Sequence, residues 1–135
     1  MTKELWMNLP VKNINRSKEF FSSIGFGIKD GSTDTSVAIS VSEKNIIVML
    51  FQEDVFKQFA QNGLADTSKT TEVLFSFGAE SREEVDEVAK KVTAAGGNLF
   101  APPAEIQGWM YGCAFADLDG HRWNALFMDM SKQGK

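Results

Sequence analysis

The chain is written twice. Its first half predicts a strand from Leu5 to Val11, a helix from Ile14 to Ile24, a glycine stop at Gly25, and two or three strands ending by Phe51. Its second half predicts the same succession: a strand from Glu72 to Phe77, a helix from Arg82 to Ala95, a stop at Gly96 and Gly97, and two or three strands ending by Met128. A repeat of this kind constrains the fold more than any local propensity, because each copy must be one supersecondary unit. Two paired β-α-β-β-β modules follow, an α+β fold whose curved sheets enclose a central cup. The length of 135 residues fits a single domain. Module one covers residues 4–51, a connecting segment 52–71, module two 72–129, and a polar tail 131–135 is expected to fray.

Local signals support this division. Asn13 is placed to cap the first helix, and Ile14, Phe20, Phe21 and Ile24 supply its apolar stripe. Ser81 and Glu84 have the spacing of a capping box, followed by an apolar face of Val85, Val88, Ala89 and Val92. Alternation or short apolar runs predict strands over Val37 to Val41, Ile46 to Phe51, Tyr111 to Ala116 and Trp123 to Met128. Ser42 to Asn45 and Leu118 to Gly120 read as hairpin turns. Val55, Phe56 and Phe59 predict a short amphipathic helix in the connecting segment. Asn98 to Phe100 reads as a short strand, and Pro102 and Pro103 open a loop after it.

Several function classes are excluded. Lys and Arg are scattered and the net charge is -4, which argues against nucleic acid. Mild acidity would favour a cationic ligand, and it is equally what a soluble protein needs to avoid association. No apolar run approaches the ~20 residues of a membrane span, so no membrane partner is expected. The start, Met1 to Glu4, lacks the features of a signal peptide, and a single cysteine suits a reducing compartment, so the expected location is cytoplasmic. Cys113 reads as a buried small hydrophobe without a histidine base to activate it. His121, the one histidine, falls in a turn. Asp117 and Asp119 lack the other ligands of a calcium loop, and a plain hairpin turn is the expectation. No Ser-His-Asp set, phosphate-binding loop or dinucleotide fingerprint is present.

Leu9-Pro10-Val11, then Asn13-Ile14-Asn15-Arg16-Ser17, then Phe20-Phe21 and Ile24-Gly25-Phe26 resemble the opening of a vicinal oxygen chelate protein. Ala94-Ala95-Gly96-Gly97 and the tract from Phe115 to Asn124 are similar to that superfamily's closing turn and final strand. Gly108 to Gly112 resembles one bacterial branch of it. The superfamily includes glyoxalase I, bleomycin-resistance proteins and extradiol dioxygenases. The resemblance covers residues 4 to 129, and its strength lies in the order and spacing of motifs that are individually weak.

The resemblance implies a metal held by the first and last strands of each module. Those positions fall on Trp6, Met49, Glu72 and Asn124. Only Glu72 is a good hard ligand; Trp6 cannot ligate, Met49 suits soft metals, and Asn124 is a weak neutral donor. Moving from Trp6 to Asn8 keeps the strand face and adds only another amide. No cofactor is therefore expected, with a divalent metal as the alternative. On this mapping Glu72, Leu74 and Ser76 face the cup, while Val73, Phe75 and Phe77 face the helices. Glu72, enclosed by aromatic walls, would suit a general base. The plainer expectation is a partly exposed strand-end carboxylate paired to a nearby Lys or Arg, such as Arg122. Trp6, Asn8, Met49, Phe51, Trp109, Tyr111, Arg122 and Asn124 complete the candidate pocket. Three readings result. The first is a metal-free small-molecule binding protein of the bleomycin-resistance type. The second is a glyoxalase- or dioxygenase-like lyase or isomerase acting on a small carbonyl compound, with Glu72 as base or residual ligand. The third is a non-catalytic dimeric module burying Trp109. A homodimer is expected in each.

Overall fold

The two halves are built alike down to their hydrogen bonds. In the computed structural model, which describes residues 2–42 and 46–132, helix α1 spans Ile14–Ser23 and helix α3 spans Arg82–Ala94. The Asn13 side chain accepts from the Arg16 N–H at 3.0 Å, and the Ser81 hydroxyl accepts from the Glu84 N–H at 3.1 Å. Each satisfies one of the donors that a helix start leaves unpaired. Glu84 reaches back one residue further than a capping box requires, accepting from the Glu80 N–H at 2.9 Å.

Both helices end in the same double hydrogen bond. Gly25 and Phe26 donate to the carbonyls of Ser22 and Phe21, and Gly96 and Gly97 donate to those of Thr93 and Val92. This pattern requires a left-handed residue after the helix, supplied by Gly25 at φ 105° and Gly96 at φ 92°. In the first copy the closing contact is aromatic: the Phe21 and Phe26 rings stack at 5.7 Å.

The first unit, residues 1–66, holds β1 (Met7–Val11), α1, β2 (Gly27–Ile28), β3 (Ser36–Ser40), β4 (Ile47–Gln52) and α2 (Glu53–Ala60). The second, residues 67–135, holds β5 (Leu74–Gly78), α3, β6 (Asn98–Ile106), β7 (Met110–Ala116), β8 (Arg122–Met128) and a short 3-10 turn, Met130–Lys132. The sheet orders correspond: β1-β4-β3-β2 and β5-β8-β7-β6. In each, the first strand runs parallel to the last and the other pairs are antiparallel. The fold is therefore α+β, with two four-stranded mixed sheets and three α-helices among the described residues. No helix among them is long and apolar enough to cross a membrane.

Each unit has its own core. Ile14, Phe20, Phe21 and Ile24 are buried with Val11, Val37, Ile39, Val48 and Leu50. Val85, Val88, Ala89 and Val92 are buried with Cys113, Phe115, Trp123 and Ala125. Burial pushes the Cys113 thiol above its ordinary range, which keeps it protonated and unreactive. In both sheets the buried residues alternate with residues on the opposite face, as the period of a strand demands.

Three expectations need correction. The proline pair does not open a loop: Pro102 and Pro103 lie inside β6, a strand of nine residues. β6 pairs only with β7, and its register shifts between Asn98 and Ala101 and again between Ala101 and Ala104. An edge strand with bulges accommodates residues that lack an N–H. The predicted first strands also begin late, at Met7 and Leu74 instead of Leu5 and Glu72. The connecting segment is shared out: α2 packs Phe59 on Phe51, with ring centroids 5.4 Å apart, and Thr67 belongs to the second unit. The predicted turn at Ser42 to Asn45 lies largely outside the described residues, as does the end of the tail.

The turn from Asp117 to His121 delivers β8 and is tied from within. Asp117, 6% exposed, accepts from the N–H groups of Asp119 (2.9 Å) and His121 (3.0 Å) and from the Trp123 indole (3.1 Å). Burial pushes its carboxyl above the usual aspartate range, against the opposing pull of His121 and of these donors. Thr67 locks the outside of the turn, donating to the Asp119 carbonyl at 2.6 Å, and leaves no room for a side chain at Gly120. Asp117→Ala strands three donors at once. It should lower unfolding free energy by about 3 kcal/mol in chemical denaturation, more than any single surface change would.

Candidate functional site

The strand pairings decide which predicted residues meet. In the first sheet Asn8 lies beside Met49, and Met49 beside Ala38. These occupy the face opposite the buried row, as does Phe51. Phe51 is engaged by Phe59 of α2, and Trp6 stands ahead of β1, 49% exposed. In the second sheet Asn124 lies between Ser76 and Ala114, and Arg122 between Leu74 and Ala116. Asn8 and Ser76 each stand five residues ahead of their helix caps, Asn13 and Ser81, so they are equivalent positions of the repeat.

That equivalence moves Glu72 away from the site. It precedes β5 by two residues and is exposed. Ser76, not Glu72, is the neighbour of Asn124. Four residues of extended chain put Glu72 up to about 13 Å further along. The expected pair with Arg122 does not form among the described residues. Leu74 and Ser76 do take the face opposite α3, while Phe75 and Phe77 pack on Trp123 at ring distances of 4.9 and 6.4 Å; Val73 is exposed ahead of the strand.

Trp109 and Tyr111 also leave the group. They lie at the Met110–Met128 end of the sheet, whereas Arg122 pairs with Ala116 at the other end. Tyr111 pairs with Phe127 and turns to α3, donating to Asp86 at 2.7 Å, with Arg82 over its ring at 5.7 Å. The bond to Asp86 raises the tyrosine above its ordinary range. Trp109 follows a tight turn in which Gln107 and Gly108 both have positive φ, and its carbonyl accepts from the Asp129 N–H at 2.8 Å.

Arg122 and Asn124 remain, two residues apart on one strand and on one face. Arg122 Nε and Asn124 Oδ1 are both buried, and neither has a hydrogen-bond partner. The Arg122 head lies over the Phe100 ring, with the guanidinium carbon 4.2 Å from the ring centre. Phe100 was not singled out in the sequence, because β6 changes register around it and no periodicity points it to this face. Ser76, Ala114, Ala116 and Gly112, all small, flank β8 on this face together with Leu74. A Cβ at Gly112 would stand 2.5 Å from Leu126 Cδ2 and 2.8 Å from the Ala125 carbonyl.

The donor chemistry does not fit the metal that the resemblance implies. Asn8 offers an amide and Met49 a thioether; Ser76 offers a hydroxyl and Asn124 an amide. None is an imidazole, thiolate or carboxylate, and the Arg122 cation on the Asn124 face repels a metal ion. Among the described residues, no three His, Cys, Asp or Glu side chains are grouped to hold one. Two open grooves, of about 600 Å³ between α3 and β6 and about 610 Å³ along α1 and β2, lie on the helix sides and include none of the predicted residues.

A buried amide oxygen without a donor costs about 1–3 kcal/mol relative to a satisfied one. Asn124→Leu, of similar shape and without polar atoms, should therefore raise the stability of the ligand-free protein by about 1 kcal/mol, read as a higher denaturation midpoint. Gly112→Ala should lower it by about 1–3 kcal/mol, because backbone must move to admit the methyl.

Comparison with known proteins agrees with this architecture. The sequence profile of the Glyoxalase/Bleomycin resistance protein/Dioxygenase superfamily matches residues 5–125. No curated protein matches the chain. Among solved structures, a hypothetical protein from Staphylococcus aureus is 35% identical, with a TM-score of 0.85 over 94% of this chain and 95% of that one. A glyoxalase/bleomycin resistance protein/dioxygenase family enzyme from Burkholderia phytofirmans is 16% identical, with a TM-score of 0.78 over 91% and 96% of the two chains. A fosfomycin resistance protein from Listeria monocytogenes is 18% identical, with a TM-score of 0.69 over 98% of each. These last two share the fold. With its repeat, its two mixed sheets and its matched profile, the chain belongs to the glyoxalase/bleomycin resistance protein/dioxygenase superfamily.

Proposed function

We propose that the protein binds a small organic molecule, without a metal, on the face of the second sheet opposite α3. The observation that carries this reading is the pair of buried, unpartnered polar atoms, Arg122 Nε and Asn124 Oδ1. Folded proteins satisfy the large majority of buried polar atoms, so a donor and an acceptor left unpaired on one face call for a group that completes them. Ala114 and Ala116 flank them on β7, and the Phe100 ring holds the guanidinium from one side.

Binding is favoured over turnover by what surrounds these residues. A general base must come within hydrogen-bond reach of the proton it takes. Glu72 lies beyond that reach from Asn124, and among the described residues no base is hydrogen-bonded to the Ser76 hydroxyl. The same reading takes a homodimer as the assembled form, since the edge strands β1 and β5 are led in by exposed Leu5, Trp6, Val73 and Leu74.

The test is a screen of small acids, amides and aromatics against isotope-labelled protein, before and after chelator treatment. Resonances of Arg122, Asn124 and their strand neighbours should shift saturably, equally with and without chelator. Arg122→Ala and Asn124→Ala should lose the shifts while keeping the native spectrum elsewhere. Shifts that require added metal, or ligands consumed on incubation, would overturn the reading.

A further inference from the structure

Given that this face binds a small molecule, we infer that its ligand is a small hydroxy acid, with its carboxylate on Arg122 and its hydroxyl on Asn124. The two orphaned atoms differ in kind. Arg122 Nε–H is a donor and needs an acceptor; Asn124 Oδ1 is an acceptor and needs a donor. An ionised carboxylate, which only accepts, meets the first need and leaves the second for a hydroxyl.

The charge fixes the first half of the ligand. Among the described residues no carboxylate pairs with Arg122, and its Nε is out of contact with water. A cation so placed is stabilised by an anion held in the plane of the guanidinium. Phe100 covers one flat side of that plane at 4.2 Å, so an anion meets the guanidinium at its edge, where the side chains that now bury Nε must move aside. The edge bearing Nε and one terminal nitrogen presents two parallel N–H groups, the spacing that matches the two oxygens of a carboxylate. The proposed ligand is thus an anion and not the cation that mild net acidity would favour, because the charge on this face is that of Arg122.

Geometry fixes the second half. Arg122 and Asn124 are alternate residues of β8, so their side chains leave the strand about 6.6 Å apart on the same side. Side chains converging from that separation reach groups on adjacent or nearly adjacent carbons, as in a 2- or 3-hydroxy acid. The hydroxyl donates to Asn124 Oδ1. Its apolar remainder lies toward Leu126, the next residue on this face, and Ala114 opposite Asn124 leaves the floor clear.

Titration of labelled protein with mandelate and lactate, followed by nuclear magnetic resonance, tests this directly. Phenylacetate and propionate lack the hydroxyl, mandelamide and lactamide lack the charge, and choline reverses it. The hydroxy acids should bind at Arg122 and Asn124, and each deletion should weaken binding by about tenfold or more, the effect of losing one buried hydrogen bond. Asn124→Asp places a like charge beside the carboxylate and should abolish hydroxy-acid binding. Arg122→Lys keeps the charge but loses the fork and should weaken it. Asn124→Asp exchanges one polar atom and Arg122→Lys keeps the stem and the charge, and their spectra report whether the fold is kept. Neutral or cationic compounds binding this face while hydroxy acids do not would overturn the hydroxy-acid assignment and leave the binding role standing. No compound of any class shifting these resonances would remove both.

Discussion

The parallel pairing of the first and last strand of each module is the constraint on which the rest depends. Parallel neighbours cannot be joined by a tight turn, so the chain must leave β1 or β5 through a helix and return by way of two antiparallel strands. The last strand is thereby inserted beside the first and becomes interior, with a neighbour on each side. Everything chemical in the second unit rides on that strand. Arg122 and Asn124 are interior because β8 is interior, and their neighbours Ser76 and Ala114 are set by its two registers.

The frame was legible in the sequence where structure is decided locally. Asn13, Ser81, Gly25 and Gly96 act through atoms a few residues away, so the helix limits could be read directly. The amphipathic stretch at Val55, Phe56 and Phe59 became α2 for the same reason. What depends on register could not be read. Alternation states that Glu72, Leu74 and Ser76 share a face, but not which of them sits beside Asn124. Tyr111 and Asn124 both belong to amphipathic strands, yet pairing places them on opposite faces. Pro102 and Pro103 read as a break, because the sequence does not reveal that β6 is an edge.

The site departs from the local consistency found elsewhere. The core faces of both sheets are apolar and closely matched to their helices, and the buried Asp117 is satisfied by three donors. On the strand that carries one of those donors, two polar atoms are buried without a hydrogen-bond partner among the described residues. A chain that resolves one buried polar group so thoroughly and leaves two others open carries a local conflict that the proposed ligand would relieve. Such local conflict is concentrated where function is built. The retained repeat explains how the conflict is tolerated. Caps and glycine stops specify each module independently of its second face, so Asn8 and Met49 in one copy can differ freely from Ser76 and Asn124 in the other.

The prolines of β6 have a consequence for assembly. A sheet can grow indefinitely by edge-to-edge addition only if both of its outer strands offer a continuous row of N–H and C=O groups. In the second unit one outer strand is β5, and the other is β6, interrupted by two consecutive residues without N–H groups and by two shifts of register. Backbone pairing through this sheet can therefore proceed from one side only. An association that uses β5 on each of two chains is self-terminating, and the second sheet is protected against open-ended polymerisation by the same residues that made β6 hard to recognise.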